Sequence, residues 1–361
     1  MKPVPENETQ PRLKNTAKLG AFVPFEEEPV EEHERKREVF LGLGKLMKTF
    51  PVWQNKKGFV PRNRFDKLNK ELYDLFFYLA PTREETAYKE KVTRMLRAAA
   101  AKTWGKDATL ETVGSVRTKT DLPTSNINIT VLCDKAALEK GEAERFAETL
   151  AKSGTAETNL LHGGTVLQCI LQDTGLSVEI TFNNRAAIDE AEKIEEWTKK
   201  TPSFPELFIA LKTFLKTRRA NETASGGLGS YALAVMVKNF LSLHPKIQAR
   251  EIAPKKNLCV LLVEFFELFG INLNTRDVVV TESGYEKRKE ATQPRIAVMS
   301  PTDPELDLTK NTFLWHHIRS VFENAHYTLV DALVSNATER NPPETASILS
   351  AIIDDTDPLF S

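Results

Sequence analysis

At 361 residues the chain is long enough for two ordinary domains or one large composite one. Its 41% hydrophobic and 27% charged residues match a globular protein, and 49 Lys and Arg against 50 Asp and Glu leave a formal net charge of −1. No global positive field therefore draws it onto nucleic acid, and any such contact must come from local basic patches. Cys133, Cys169 and Cys259 sit in apolar runs without CxxC or Cys/His spacing. That pattern predicts small buried side chains in a reducing compartment, not a zinc site or a disulfide framework. No apolar run reaches membrane-spanning length, and the opening MKPVPENETQPRLKNT has no hydrophobic signal segment.

In chain order, residues 1–38 are rich in Pro, Glu and Lys and are expected to be a mobile segment whose mixed charge run, EEEPVEEHERKRE, is a solvated helix entry. A short helix is expected over 39–50. FDKLNKELYDLFFYLAP then places Leu68, Leu72, Leu75, Phe76 and Leu79 at helical spacing up to Pro81. Thr82 followed by Glu85 predicts a capping box for the next helix, which runs to about Trp104. Strands are expected near 109–113 and 127–132, an amphipathic helix over 136–153, and strands near 165–171 and 176–182. This order predicts an α+β unit with a small mixed or antiparallel sheet. After Arg185 the chain turns mostly helical, with segments at 207–216, 230–243, 257–269, 313–333 and 344–353, and a small strand pair at 278–281 and 296–299. Residues 336–361 read as a C-terminal tail, a cap or a loose end.

The central stretch is GSVRTKTDLPTSNINITVL, from Gly114 to Leu132. It holds a Gly-Ser turn, a polar loop, a Pro-Thr-Ser corner and a strand. Strand periodicity puts Asn126, Asn128 and Thr130 on one face and Ile127, Ile129 and Val131 on the other. Taken with KLNKELYDLFFYLAPTREE, VEITFNN, FPELFIALKTFLKTRRANE, SGGLGSYALAVMVKNFLSLHP and NLCVLLVEFFELFGINLN, it resembles the noncanonical poly(A) RNA polymerase family of the TRAMP type, in the DNA polymerase beta-like nucleotidyltransferase superfamily. The resemblance implies a nucleotidyltransferase palm at about 82–185, inserted into a mostly helical central domain formed by 39–81 and 186–335, with nucleotide held between them.

What the resemblance implies for chemistry is mixed. Template-independent adenylyl transfer to an RNA 3′ end uses Mg²⁺ or Mn²⁺ with ATP, and the family holds its two ions on three aspartates. Those positions match Asn126, Asn128 and Glu179. An amide offers a neutral oxygen and an NH₂ that repels a cation, so metal binding is expected to fail here. Glu179 keeps its charge and could still bind a metal or serve as a base; an exposed strand carboxylate is the competing reading. The nucleotide-binding positions match Gly114, Ser115, Lys212, Lys216, Ser230 and Tyr231. Lys212 and Lys216 are one helical turn apart, so both ammonium groups can face the triphosphate region; composition alone reads them as a solvated helix face, which the matched motif reverses. For Tyr231 a core aromatic competes nearly evenly with a base-stacking ring. DPELDLTKNTF lacks the Gly-Asn pair of the family's base-recognition stretch, and natural decay accounts for these departures together better than an engineered double Asp-to-Asn change. Arg117 and Lys119, where the family has Ser and Gly, are expected to fill the space and charge of the missing ions. His316 and His317 are expected at the surface.

The expectation is thus a catalytically impaired relative acting as a nucleotide-, RNA- or protein-binding module in RNA processing or surveillance. The alternative is an active adenylyltransferase with an atypical metal site. By the same resemblance its partners are RNA, a zinc-knuckle RNA-binding protein and an RNA helicase, and its location is the nucleus, with the cytoplasm as the alternative.

Overall fold

A computed structural model describes residues 51–55, 61–105, 108–133, 142–152, 155–161, 165–289, 295–334 and 346–360. The expected helix at 39–50 and the N-terminal segment lie outside these residues. Helix α1 (Arg64–Leu79) starts at Asn63, whose side chain accepts the Asp66 amide at 2.8 Å. Helix α2 (Arg83–Trp104) starts on the predicted capping box: the Glu85 amide donates to Thr82 Oγ1 at 3.1 Å and the Thr82 amide to Glu85 Oε2 at 2.7 Å.

Strand β1 (Ala108–Val113) leads through a one-turn helix α3 (Gly114–Thr118) to β2 (Ile127–Cys133). Helix α4 (Glu142–Ala151), β3 (Thr155–Leu161), β4 (Val166–Leu171) and β5 (Ser177–Phe182) follow. The sheet is mixed, in the order β1-β2-β5-β4-β3, and only β2 and β5 run parallel. Ile127, Ile129 and Val131 of β2 are fully buried against Val92 and Leu96 of α2 and Phe146 of α4, as the period-two reading requires. Two pieces of this unit were not foreseen. β3 carries few apolar residues and leaves Leu160 37% exposed at the sheet edge. Turn α3 was read as loop.

Helix α5 (Arg185–Lys200), in the region expected to be mostly helical but not among its named segments, opens at Asn184, whose side chain accepts the Ala187 amide at 3.2 Å. Its buried stripe is Ala191, Ile194 and Trp197. Helices α6 (Phe204–Lys216), α7 (Ser230–Leu243), α8 (Leu258–Glu267) and α9 (Trp315–Val334) build a second apolar cluster that includes Leu68 and Leu72 of α1. The small strand pair differs from expectation: Val278–Val280 pairs with Tyr285–Lys287, while the 296–299 stretch contributes only a single parallel bridge, Val280 to Val298, and an antiparallel one, Met299 to Asp307. The helix expected at 344–353 is instead a 3₁₀ turn at Leu349–Ala351. Residues around it are held by buried Glu71, which accepts the Leu349 amide at 2.8 Å and the Ser347 hydroxyl at 3.0 Å. Cys169 and Cys259 are buried thiols as expected, while Cys133 is only half-buried. No helix among the described residues is long and apolar enough to cross a membrane.

Candidate functional site

Parallel pairing sets the site's register. Asn128 lies opposite Glu179 across β2 and β5, and Asn126 stands just before β2 on the same side. Glu179 accepts from Asn126 Nδ2 at 2.7 Å on one carboxylate oxygen and from Asn128 Nδ2 at 3.0 Å on the other. An ionised carboxylate only accepts, so its two partners must present their NH₂ groups, and their carbonyl oxygens turn elsewhere. Each such charge-assisted bond is worth about 1.5–3 kcal/mol. The three side chains that would have to gather dications are therefore bonded to one another, with a single negative charge among them.

That donor set does not fit a two-ion site. Magnesium favours charged carboxylate oxygens in octahedral geometry, and here two of three ligands are neutral amides already committed to the third. Among the described residues no cluster of three or more His, Cys, Asp or Glu could hold a metal ion.

The Gly-Ser turn packs directly on this triad. Gly114 has φ +64°, and a Cβ there would sit 3.3 Å from Asn128 Cβ, so both backbone shape and space favour glycine. From here to Asp121 the chain divides its side chains between two cavities. Gly114, Ser115, Thr118 and Thr120 line one; Val116, Arg117, Lys119 and Asp121 line the other. Arg117 and Lys119 thus do not occupy the place of the missing ions. Arg117 turns to α5, donating to Glu195 at 3.0 Å and to Glu192 at 3.2 Å. Lys119 takes the left-handed conformation (φ 58°) and faces the second cavity.

The first cavity, about 280 Å³, lies where the sheet meets α5, α6 and α7. Asn128, Glu179, Gly114, Ser115, Lys212, Ser230 and Tyr231 all line it. Lys212 is 5% exposed, its ammonium donating to the Thr120 carbonyl at 2.9 Å. Burial pulls it down to about 8, against the pull of Asp121 and with the help of Lys216. Lys216 is not among the described residues lining this cavity; it pairs with Glu222 at 3.4 Å. The two ammonium groups therefore do not converge, contrary to the one-turn spacing argument. The ring of Tyr231 stacks on Trp197 at 6.3 Å with 9° between planes, and burial pushes its hydroxyl up to about 12. Tyr231 is at once a packed aromatic and a cavity wall. His316 and His317 are exposed.

Sequence reading missed two groups. Glu190 on α5 enters the cavity, and burial, with Asp189 beside it, raises its carboxyl to about 7. The signal was available in Asn184, a helix-capping residue followed by an Ala191-Ile194-Trp197 stripe, which would have put Glu190 on the helix face toward the sheet. The other is Lys89 on α2, which meets Asp121 at 2.5 Å with both side chains nearly buried.

A mixed sheet with its functional positions on two adjacent parallel strands, closed by a helical layer over a Gly-Ser turn, defines a nucleotidyltransferase polymerase core. The family model for the poly(A) RNA polymerase, mitochondrial-like, central palm domain matches residues 68–199. Poly(A) RNA polymerase protein 2 of Saccharomyces cerevisiae is 32% identical over 275 residues, 72% of this chain and 47% of that one. The polymerase core of TRAMP, an RNA surveillance complex, superposes with a TM-score of 0.72 at 29% identity, covering 81% of this chain and 95% of that one. More distant, at 26% identity over 208 residues (56% of this chain, 51% of the other), is Trf4-2 of Drosophila melanogaster, named as an inactive noncanonical poly(A) RNA polymerase. The chain belongs to the noncanonical poly(A) RNA polymerase family. It spans about half the length of the curated relatives it matches.

Proposed function

We propose that this chain is a catalytically impaired member of the family, kept as a binding module in RNA processing or surveillance. The observation that carries the reading is the pair of amide-to-carboxylate bonds at Glu179. A site that must concentrate positive charge has its one strong acceptor filled by protein donors. Supplying two ions would require breaking both bonds and would still leave a charge deficit of two relative to three carboxylates. The cavity's balance points the same way: Glu179 and Glu190 face a single ammonium, Lys212. Without ions to bridge it, a triphosphate meets net negative charge. Trf4-2, named as inactive, is a precedent within the family. On this reading RNA and the zinc-knuckle and helicase proteins expected from the family are its partners, and the nucleus its place of action.

The test is primer extension. The purified chain, given a labelled RNA oligonucleotide, ATP and Mn²⁺, is expected to add no tail, while Asn126→Asp/Asn128→Asp gains tailing. Tailing by the unmodified chain at the level of that variant would overturn the proposal.

A further inference from the structure

The second cavity is larger, about 640 Å³, and opens between α2, the end of β1 and the Val116–Asp121 side of the turn. Five cations line it: Lys89, Arg94, Arg97, Arg117 and Lys119, against the carboxylates of Glu90 and Asp121. Two of the five are committed, Lys89 to Asp121 at 2.5 Å and Arg117 to Glu195 and Glu192. Among the described residues, the side chains of Arg94, Arg97 and Lys119 have no ion pair or hydrogen bond, so three charges converge on one concavity against the single remaining carboxylate of Glu90. In a chain of net charge −1 such a concentration is local, not a reflection of overall basicity.

Lys119 adds an independent sign. Its left-handed backbone costs a non-glycine residue about 1–2 kcal/mol. The segment tolerates that strain, and the result is an ammonium at the cavity mouth where a glycine would fit more comfortably.

We propose that this cavity binds the sugar-phosphate backbone of single-stranded RNA, an inference that rests on the chain's reading as an RNA-handling module. Guanidinium forks at Arg94 and Arg97, one helical step apart on α2, match phosphate oxygens in pairs. The lining contains no aromatic ring, so bases are not stacked and binding does not depend on sequence. The same feature disfavours a protein partner, which would seek aromatic or large apolar anchors where only Pro81 and Val116 are apolar. RNA held here lies one loop away from the family's nucleotide cleft, on the opposite side of the Gly114–Asp121 segment.

Fluorescence anisotropy of a short labelled single-stranded RNA, in EDTA and without nucleotide, tests this across a salt series. Arg94→Gln/Arg97→Gln/Lys119→Gly is chosen to fold: both arginines are exposed, and glycine suits φ 58°. The expected result is at least a roughly ten-fold loss of affinity, with the slope of log K against log salt falling by about 2, at ~0.7 per phosphate contact. A melting curve like that of the unmodified chain assigns the loss to the missing charges; Arg94→Lys/Arg97→Lys is expected to restore most of the salt slope. Unchanged affinity and slope, or no RNA binding by the unmodified chain, would overturn the proposal. Competition by polyglutamate as strong as by unlabelled RNA would also overturn it and mark a docking site for an acidic protein. Because the assay contains no metal or ATP, its outcome is independent of primer extension, and either reading can fail alone.

Discussion

The two cavities share a wall and differ in almost everything else. One is small, set between the sheet and three helices, and lined by two carboxylates against one buried ammonium. The other is more than twice as large and carries five cations against two carboxylates. The difference arises within eight residues, because the Gly114–Asp121 segment divides its residues between the two sides and alternates from Arg117 to Asp121. Thr118 and Thr120 turn to the cleft; Arg117, Lys119 and Asp121 turn away. Charge placed at alternate positions of a turn therefore leaves a neighbouring site untouched. The lesson is that basic residues in a catalytic-loop motif need not serve the catalytic site, and that the two faces can be altered separately.

The largest effect is expected where the faces are joined. Asp121 is 4% exposed, bonded to Lys89, and its charge supports Lys212 on the cleft side. Asp121→Ala leaves two nearly buried ammonium groups without their carboxylate, and chemical denaturation should read a loss of about 3–5 kcal/mol. A loss under about 1 kcal/mol would mean that water, not Asp121, carries those charges. Next comes the triad. Asn126→Asp/Asn128→Asp removes both bonds to Glu179 and sets three carboxylates side by side, costing about 3 kcal/mol or more in EDTA. Mn²⁺ should restore the variant's Tm by several degrees while leaving the unmodified chain unmoved. An equal rise in both would erase the distinction between the cleft and a working metal site.

Much of this could be read before any coordinates. The capping box at Thr82 and Glu85, the Ile127-Ile129-Val131 face of β2 and the helix from Ser230 to Leu243 are local patterns, and local patterns survive folding. Meeting of Asn126, Asn128 and Glu179 followed from motif order, since each block sits on its own strand. What could not be read was direction. No spacing rule says that Arg117 finds Glu192 and Glu195 across the turn, because those partners lie on a helix some 75 residues on. Lys212 and Lys216 satisfied helical spacing yet diverged, since one is trapped against the Thr120 carbonyl and the other reaches Glu222 beyond the helix end. β3 was hidden for a different reason: an edge strand with one solvent face needs little apolar sequence.

The subtlest effect is expected at Glu190, and it tests whether the cleft's charge balance governs what can enter. Its carboxyl is raised to about 7 by burial first and Asp189 second, and it shares the cavity with Glu179, Lys212 and Tyr231. Below pH 7 it is protonated, leaving Glu179 opposed by Lys212. As pH rises through 7 it ionises and the balance turns negative; above about 8 Lys212 loses its proton and deepens the deficit. Metal-free binding of a nonhydrolysable ATP analogue should therefore weaken by roughly ten-fold between pH 6 and pH 8, the size of one unit charge about 10 Å away at an effective dielectric near 20. Glu190→Gln should hold its affinity flat through pH 7 and decline only as Lys212 titrates. Folding follows the same sign. A carboxyl raised in the folded state contributes stability that is complete below its unfolded value and lost as pH rises through 7, so the glutamine variant should be the more stable chain at pH 8. If both chains bind and melt alike across that range, the charge of Glu190 does not govern entry to the cleft, and charge separates the two cavities only on the Arg94 side.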